Sequence, residues 1–187
     1  MYLLYPNGWA FHYGKPEALG YLARALAETG DWVGVAAVTG HVAARTEAGD
    51  VWTKGMDPGV EGGIKALAAI AKIVTGADPQ AGSREIDELV AHPDLGIGWD
   101  AMALAYVAAD RREDLEPLLK EFAEQENADS IGIYRVARAY ALHIDGDYSG
   151  AERELDHAIA SLLRPQTYGD LAVAMARLVK ERIEASE

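Results

Sequence analysis

Apolar side chains recur at intervals of three and four residues along most of this chain, the spacing that places them on one face of an α-helix. The clearest stretches begin near Pro16, Asp31, Ile64, Ser83, Ile97, Glu113, Ser130, Tyr148 and Tyr168. Turn residues such as Gly30-Asp31 and Gly146-Asp147 separate several of them. The pattern predicts an all-α fold of paired helices.

Two of these stretches match at a fixed offset of 34 residues. Four positions of the earlier stretch recur in the later one: Trp99, Met102, Ala103 and Tyr106 against Ile133, Val136, Ala137 and Tyr140. A repeat of this length built from helix pairs is typical of a stacked array, in which each pair buries its apolar face against its neighbours. Such arrays usually work by presenting a surface.

The spacing of the apolar positions divides the chain into segments. The predicted helical hairpins cover residues 16–45, 63–92, 97–126 and 130–163. A glycine-rich connector, 46–62, follows the first hairpin, and the last amphipathic helix, within 166–187, is expected to cap the open end of the array. Residues 1–15 form an aromatic arm, for which a short β-hairpin around Asn7-Gly8 and an extended segment are both consistent.

Two glycines, Gly34 and Gly40, lie inside the second predicted helix. Each costs about 1 kcal/mol against alanine in a helix interior. A glycine at such a position indicates that another group approaches closely. Close packing of a neighbouring helix is the expected reason, and a ligand beside Thr39 and His41 is the alternative.

Charge and composition narrow the classes of partner. The chain has 30 acidic residues against 17 Lys and Arg, which gives a net charge of −13 and argues against nucleic acid or an anionic membrane as the main partner. It has no cysteine, so disulfide and thiolate chemistry are excluded. The first residues lack a signal-peptide pattern and no apolar run reaches 18 residues, so we expect a cytoplasmic protein without a membrane span.

The repeated pattern resembles the tetratricopeptide repeat (TPR), a 34-residue helix–turn–helix. Trp99 to Tyr106 match the first-helix half of its motif, and the fourth hairpin matches the second-helix half through Ala151, Leu155 and Ala158. The first hairpin carries Leu19, Leu22, Ala23 and Leu26 followed by Gly30-Asp31-Trp32, which parallels Gly146-Asp147-Tyr148. The hairpin at 63–92 departs from the motif. The resemblance implies a right-handed α-solenoid of about four TPR-like hairpins.

The resemblance also implies a function, that of a non-enzymatic protein–protein interaction scaffold holding a peptide or protein segment in a concave groove. The family's groove positions correspond in this chain to Arg24, Lys65, Lys72, Asp100, Leu104, Tyr134 and Arg138. The four cations among them would receive a carboxylate or an acidic segment. Alternatively, these cations pair with carboxylates on neighbouring helices.

The residues that carry chemistry give no catalytic motif. The five histidines lack the spacing of a metal pair on one helix, so neither a metal nor a cofactor is expected, and Gly59 to Lys65 lacks the ending of a nucleotide-binding loop. His143, near Asp145 and Asp147, is the weak metal candidate.

Two further functions remain open. The first is a small all-α enzyme or accessory subunit, with a pocket formed by Trp9, His12, His41 and Trp52 where the arm, the second helix and the connector meet. The second is a homo-oligomer in which the aromatic arm docks into a neighbouring copy.

Overall fold

A computed structural model of the protein describes residues 2–4, 10–12, 16–49, 56–124, 132–162 and 171–186. Apart from one pair of short strands and a 3-10 turn at Pro93–Leu95, the regular structure of these residues is α-helical. The helices are α1 Pro16–Thr29, α2 Trp32–Glu47, α3 Pro58–Val74, α4 Pro79–Val90, α5 Trp99–Ala108, α6 Arg112–Ala123, α7 Gly132–Ile144, α8 Tyr148–Leu162 and α9 Ala172–Ala185. The predicted all-α class is confirmed, and no described helix has the length and apolarity needed to cross a membrane.

The N-terminal arm contains a β-hairpin. Strand β1, Tyr2–Leu4, pairs antiparallel with β2, Ala10–His12, and Leu3 lies opposite Phe11. Of the two arrangements consistent with the sequence, the hairpin is therefore the one observed. The Asn7-Gly8 turn itself lies outside the described residues.

The chain divides into two compact units, of which the first comprises Met1–Leu26 and Asp31–Ile97. In it α2 packs against α3, and α3 packs against α4 and the 3-10 turn. One core cluster joins Leu19, Val42 and Ile64 from the first three helices. Leu22, Val38, Met56 and Val60 pack around it.

Helix α3 begins at Pro58, six residues before the predicted start at Ile64, so the connector 46–62 is shorter than predicted. The Asp57 side chain accepts hydrogen bonds from the backbone nitrogens of Gly59 and Val60, at 2.9 and 3.3 Å, and proline is favoured in a first turn. Glycines 59, 62 and 63, which suggested an irregular connector, lie inside the helix. In the same way α4 begins at Pro79 rather than Ser83, because Asp78 caps Ala81.

The second unit comprises Ala27–Gly30 and Gly98–Glu187. The pairs α5–α6 and α7–α8 pack together, and α7 also contacts α5 and α6. Helix α9 packs against α5, α7 and α8, so it covers the first helices of both pairs rather than only closing the end of the array. The physical reason is that α9 is apolar on more than one side, since Ala172, Ala174 and Ala176 are buried together with Met175 and Val179.

Three helix–helix turns close in the same way. Gly30, Asp110 and Gly146 have φ of 82°, 57° and 86°, in the left-handed region. In each turn the next residue donates its N–H to a carbonyl five residues earlier, as Arg111 does to Tyr106 at 2.9 Å. Asp110 therefore stands where the two related turns have glycine.

Candidate functional site

Three of the four cations projected onto a groove form ion pairs with carboxylates of the chain. Lys65 Nζ lies 2.6 Å from Glu61 Oε1, and Lys72 forms an ion pair with Glu85. Arg138 Nη1 lies 3.6 Å from Glu154 Oε1, while Arg24 also interacts within the chain. The pairs of Lys72 and Arg138 join neighbouring helices, as the alternative interpretation expects, whereas Glu61 lies on the same helix as Lys65.

Two other residues projected onto the groove are buried. Leu104 in α5 is fully buried, and Tyr134 in α7 packs edge-on against Phe122 with ring centroids 6.3 Å apart. Asp100 Oδ1 accepts the N–H of Ala101 at 2.8 Å, at the start of α5. Leu104 and Tyr134 offer almost no surface to a ligand, which differs from the prediction that they line an open groove. The sequence pattern could not anticipate this, because burial at these positions depends on packing between helices, such as that of Tyr134 against Phe122 of α6.

Of the four residues predicted to form the alternative pocket, only His41 has a described side chain. His41 is exposed on α2, whereas Trp9, Trp52 and the side chain of His12 lie outside the described residues. Convergence of these four side chains stays a prediction.

The described surface has its most distinctive feature on α2. From Trp32 to Ala44 this helix contains no Asp, Glu, Lys or Arg, in a chain with a net charge of −13. Its outer side exposes seven residues, which we call the α2 face: Val33, Ala36, Ala37, Gly40, His41, Ala43 and Ala44. Val33 is 73% exposed, the highest value among the large apolar side chains of the described residues.

The other side of α2 explains why this face points outward. Trp32, Val35, Thr39 and Val42 are buried, and Val42 belongs to the core cluster with Ile64 of α3. The Thr39 hydroxyl donates to the Val35 carbonyl at 2.9 Å, so its polar group is satisfied within the helix. Asp31 caps the helix by accepting the N–H of Gly34 at 2.8 Å. Helix α2 is thus anchored by one stripe, and the α2 face is left to solvent.

The two glycines of α2 have different surroundings. A Cβ added at Gly34 would lie 2.5 Å from the capping carboxylate of Asp31, so Gly34 makes room for the cap. A Cβ added at Gly40 would meet no atom of the described residues within 4 Å. Close packing inside the chain, the expected reason for both glycines, therefore does not account for Gly40. The signal in the sequence is the uncharged run around Gly40, which contains none of the residues projected onto the groove.

A second cluster, of polar residues, surrounds the turn between α5 and α6. Arg182 of α9 forms an ion pair with Asp110 and donates through Nη2 to the Ala108 carbonyl at 3.1 Å. Its guanidinium carbon lies 5.5 Å from the ring centroid of Tyr140, whose hydroxyl donates to Asp110 at 3.3 Å. Burial, followed by the negative charge of Asp110, raises the pKa of Tyr140 to about 12, against the opposing effect of Arg182. We call these residues, Asp110, Tyr140 and Arg182, the Asp110 cluster.

The weak metal candidate gains no ligands in the structure. His143 is buried, its Nε2 lies 3.4 Å from Ser186 Oγ, and its Nδ1 has no hydrogen-bond partner among the described residues. Its ring packs edge-on against Tyr148. Within the described part of the chain, no three His, Asp or Glu side chains come together in a way that could hold a metal ion.

No protein-family model, curated protein or solved structure matches the chain, so the comparisons assign it to no family.

Proposed function

We propose that this protein is a non-enzymatic protein–protein interaction scaffold of TPR-like helical hairpins, and that the α2 face receives a helix of its partner. The observation that carries the proposal is the uncharged, exposed surface around Gly40, where the vacant space beside the glycine is used by no other part of the described chain. The proposal also retains the cytoplasmic location expected from the sequence.

The chemistry of the α2 face favours a protein partner. Apart from the imidazole of His41 it presents only aliphatic side chains and Gly40. Burial of apolar surface contributes roughly 25 cal/mol per Å² removed from water, whereas a charged or strongly polar ligand would find almost no hydrogen-bonding group on this face. The net charge of −13 further disfavours nucleic acid.

The small residues of the α2 face favour a helix as the bound element. Ala36, Ala37 and Gly40 lie within about one turn of each other along α2. Small side chains at a helix contact allow interaxial distances near the lower end of roughly 8–10 Å. A partner helix could therefore approach α2 most closely at Gly40.

Binding of the partner in a groove lined by the projected cations has less support than binding on the α2 face. Lys65, Lys72 and Arg138 are already paired with carboxylates, and Leu104 is buried. The class of function predicted from the sequence is retained, while the surface that carries it moves from the groove residues to α2.

A charge placed on the α2 face tests the proposal. Ala37→Glu puts a carboxylate in the centre of this face, and Val90→Glu puts the same charge at an exposed apolar position on α4. Wild type and both variants are used for affinity capture from the cells of origin, and each retained protein is then purified and titrated directly. We expect a partner that binds wild type and the Val90→Glu variant but not the Ala37→Glu variant. The same set of partners for all three proteins would contradict the proposal, as would the absence of any partner with this selectivity.

A further inference from the structure

We propose that Asp110 is a latch that holds the C-terminal half of α9, residues 178–185, closed against α5 and α7, and that this half opens as a local unit when the latch is broken. The inference concerns the second unit alone and is independent of the function proposed for the α2 face.

The contacts that form the latch all meet at one side chain of α9, that of Arg182. Its guanidinium binds the Asp110 carboxylate and the Ala108 carbonyl together, so it contacts the end of α5 and the following turn at once. The same group lies over the ring of Tyr140 in α7. One side chain of α9 thereby contacts two of the three helices against which α9 packs.

The backbone of Asp110 indicates that its side chain is needed at this position. With φ of 57° it adopts a left-handed conformation that glycine adopts at less cost, and glycine occupies the related turns at Gly30 and Gly146. A residue held in such a conformation persists when surrounding interactions compensate for it. The ion pair with Arg182 and the hydrogen bond from Tyr140 provide this compensation.

The two halves of α9 are anchored differently. The first half, with Leu171, Ala172, Ala174, Met175 and Ala176, is almost continuously buried. In the second half Leu178, Val179 and Ile183 are buried, but Lys180, Glu181, Glu184 and Ala185 are exposed. Segments with less apolar burial open at lower free energy, so a polar contact contributes a larger share of their stability.

The exposure of the ion pair makes the latch sensitive to salt. The Asp110 side chain is 68% exposed and that of Arg182 is 27% exposed, so ions in solution reach the pair and weaken its attraction. Raised ionic strength should therefore favour opening in the wild-type protein.

Native-state amide hydrogen exchange tests the latch. Arg182→Met and Asp110→Asn each remove one charge of the ion pair, and Lys180→Met removes a positive charge from the same helix at a side chain that lies 3.7 Å from Glu184. We expect amides 178–183 to exchange about tenfold faster in Arg182→Met and Asp110→Asn, less than twofold faster in Lys180→Met, and amides of α6 and α8 to be unchanged. In wild type, 1 M salt should accelerate the same α9 amides, and in Arg182→Met it should have no such effect.

Two results would overturn the proposal. The first is unchanged exchange at residues 178–183 in Asp110→Asn together with no effect of salt on wild type. The second is equal acceleration across all helices of the second unit, because that pattern means global destabilisation. If Arg182→Met does not fold, Asp110→Asn and the salt series on wild type decide the outcome alone.

Discussion

The Tyr140 hydroxyl donates its hydrogen bond to Asp110 Oδ1 at 3.3 Å, which joins the middle of the second unit to the one left-handed residue other than glycine in the described chain. The neutral phenol can donate this bond, whereas the phenolate cannot and would lie beside a carboxylate. Burial of the ring is the largest cause of the raised pKa of Tyr140, about 12 against 10.0, and the charge of Asp110 and this hydrogen bond raise it further.

This pKa predicts a loss of stability in alkali. Because the pKa is higher in the folded state, the contribution to the free energy of unfolding is complete below pH 10 and is lost as the pH rises from about 10 towards 12. A shift of this size corresponds to roughly 3 kcal/mol. We expect urea unfolding to find wild type more stable than Tyr140→Phe at pH 8, and the difference to shrink above pH 10. A difference that does not change with pH would contradict the assignment.

A second prediction concerns the strain at Asp110. Asp110→Gly relieves the left-handed backbone, which costs roughly 1 kcal/mol, but it also removes the acceptor for Arg182 and Tyr140. We therefore expect Asp110→Gly to lower the free energy of unfolding in wild type and to raise it, or leave it unchanged, in an Arg182→Met background. A double-mutant cycle by chemical denaturation measures this coupling. Additive effects of the two substitutions would show that the side chains do not depend on each other.

A third prediction follows from the empty space beside Gly40. Gly40→Ala should raise the free energy of unfolding by about 1 kcal/mol, because alanine favours a helix and its Cβ meets no atom within 4 Å in the part of the chain that the structure describes. The midpoint of thermal unfolding should rise by about 2–4 °C. Under the proposed function the same substitution weakens partner binding.

Gly63→Ala is the matched control for Gly40→Ala. Gly63 is also inside a helix, and a Cβ added there meets no described atom within 4 Å, but it lies on α3 and is not part of the α2 face. It should give a similar gain in stability without any loss of binding. A loss of stability in Gly40→Ala would instead mean that the chain itself uses the space.

A fourth prediction concerns glycines that the packing requires. An added Cβ at Gly62 would lie 2.7 Å from Ile97 Cγ1, and at Gly82 it would lie 2.5 Å from the Ala69 carbonyl oxygen. Gly62→Ala and Gly82→Ala should therefore lower the free energy of unfolding by about 1–3 kcal/mol, as overpacking usually does. Thermal denaturation of both variants, with Gly63→Ala as the control, shows whether stability falls or rises. A gain in stability at either position would be inconsistent with the described contacts.

The sequence predicted most of the helices because their signals are local. The apolar periodicity and the turns at Gly30-Asp31 and Gly146-Asp147 correctly separated α1 from α2 and α7 from α8. The predicted start of α3 was wrong because three glycines suggested a loop. In the structure the Asp57 cap and the packing of Ile97 against Gly62 allow the helix to begin earlier. The position of α9 against α5 depends on contacts between residues far apart in sequence, which periodicity does not report.

The candidate site was less predictable for a related reason. Which side of α2 is exposed depends on how Val42 and its neighbours pack against α3. The uncharged run from Trp32 to Ala44 was visible in the sequence, but whether it was buried or exposed was not. The space beside Gly40 depends on where the surrounding backbone lies, and a sequence pattern does not give that position.

The glycines at the start of α3 have a consequence for how the chain can be shortened. The first turns of this helix are intrinsically weak because Gly59, Gly62 and Gly63 lie in them. Gly62 packs against the Leu95 carbonyl and Ile97, and Gly59 lies against the Gly96 carbonyl. These partners come more than thirty residues later, beyond the end of the predicted hairpin 63–92. A fragment that stops at residue 92 would therefore lose these turns, so the smallest piece of the first unit able to fold independently must extend through Ile97.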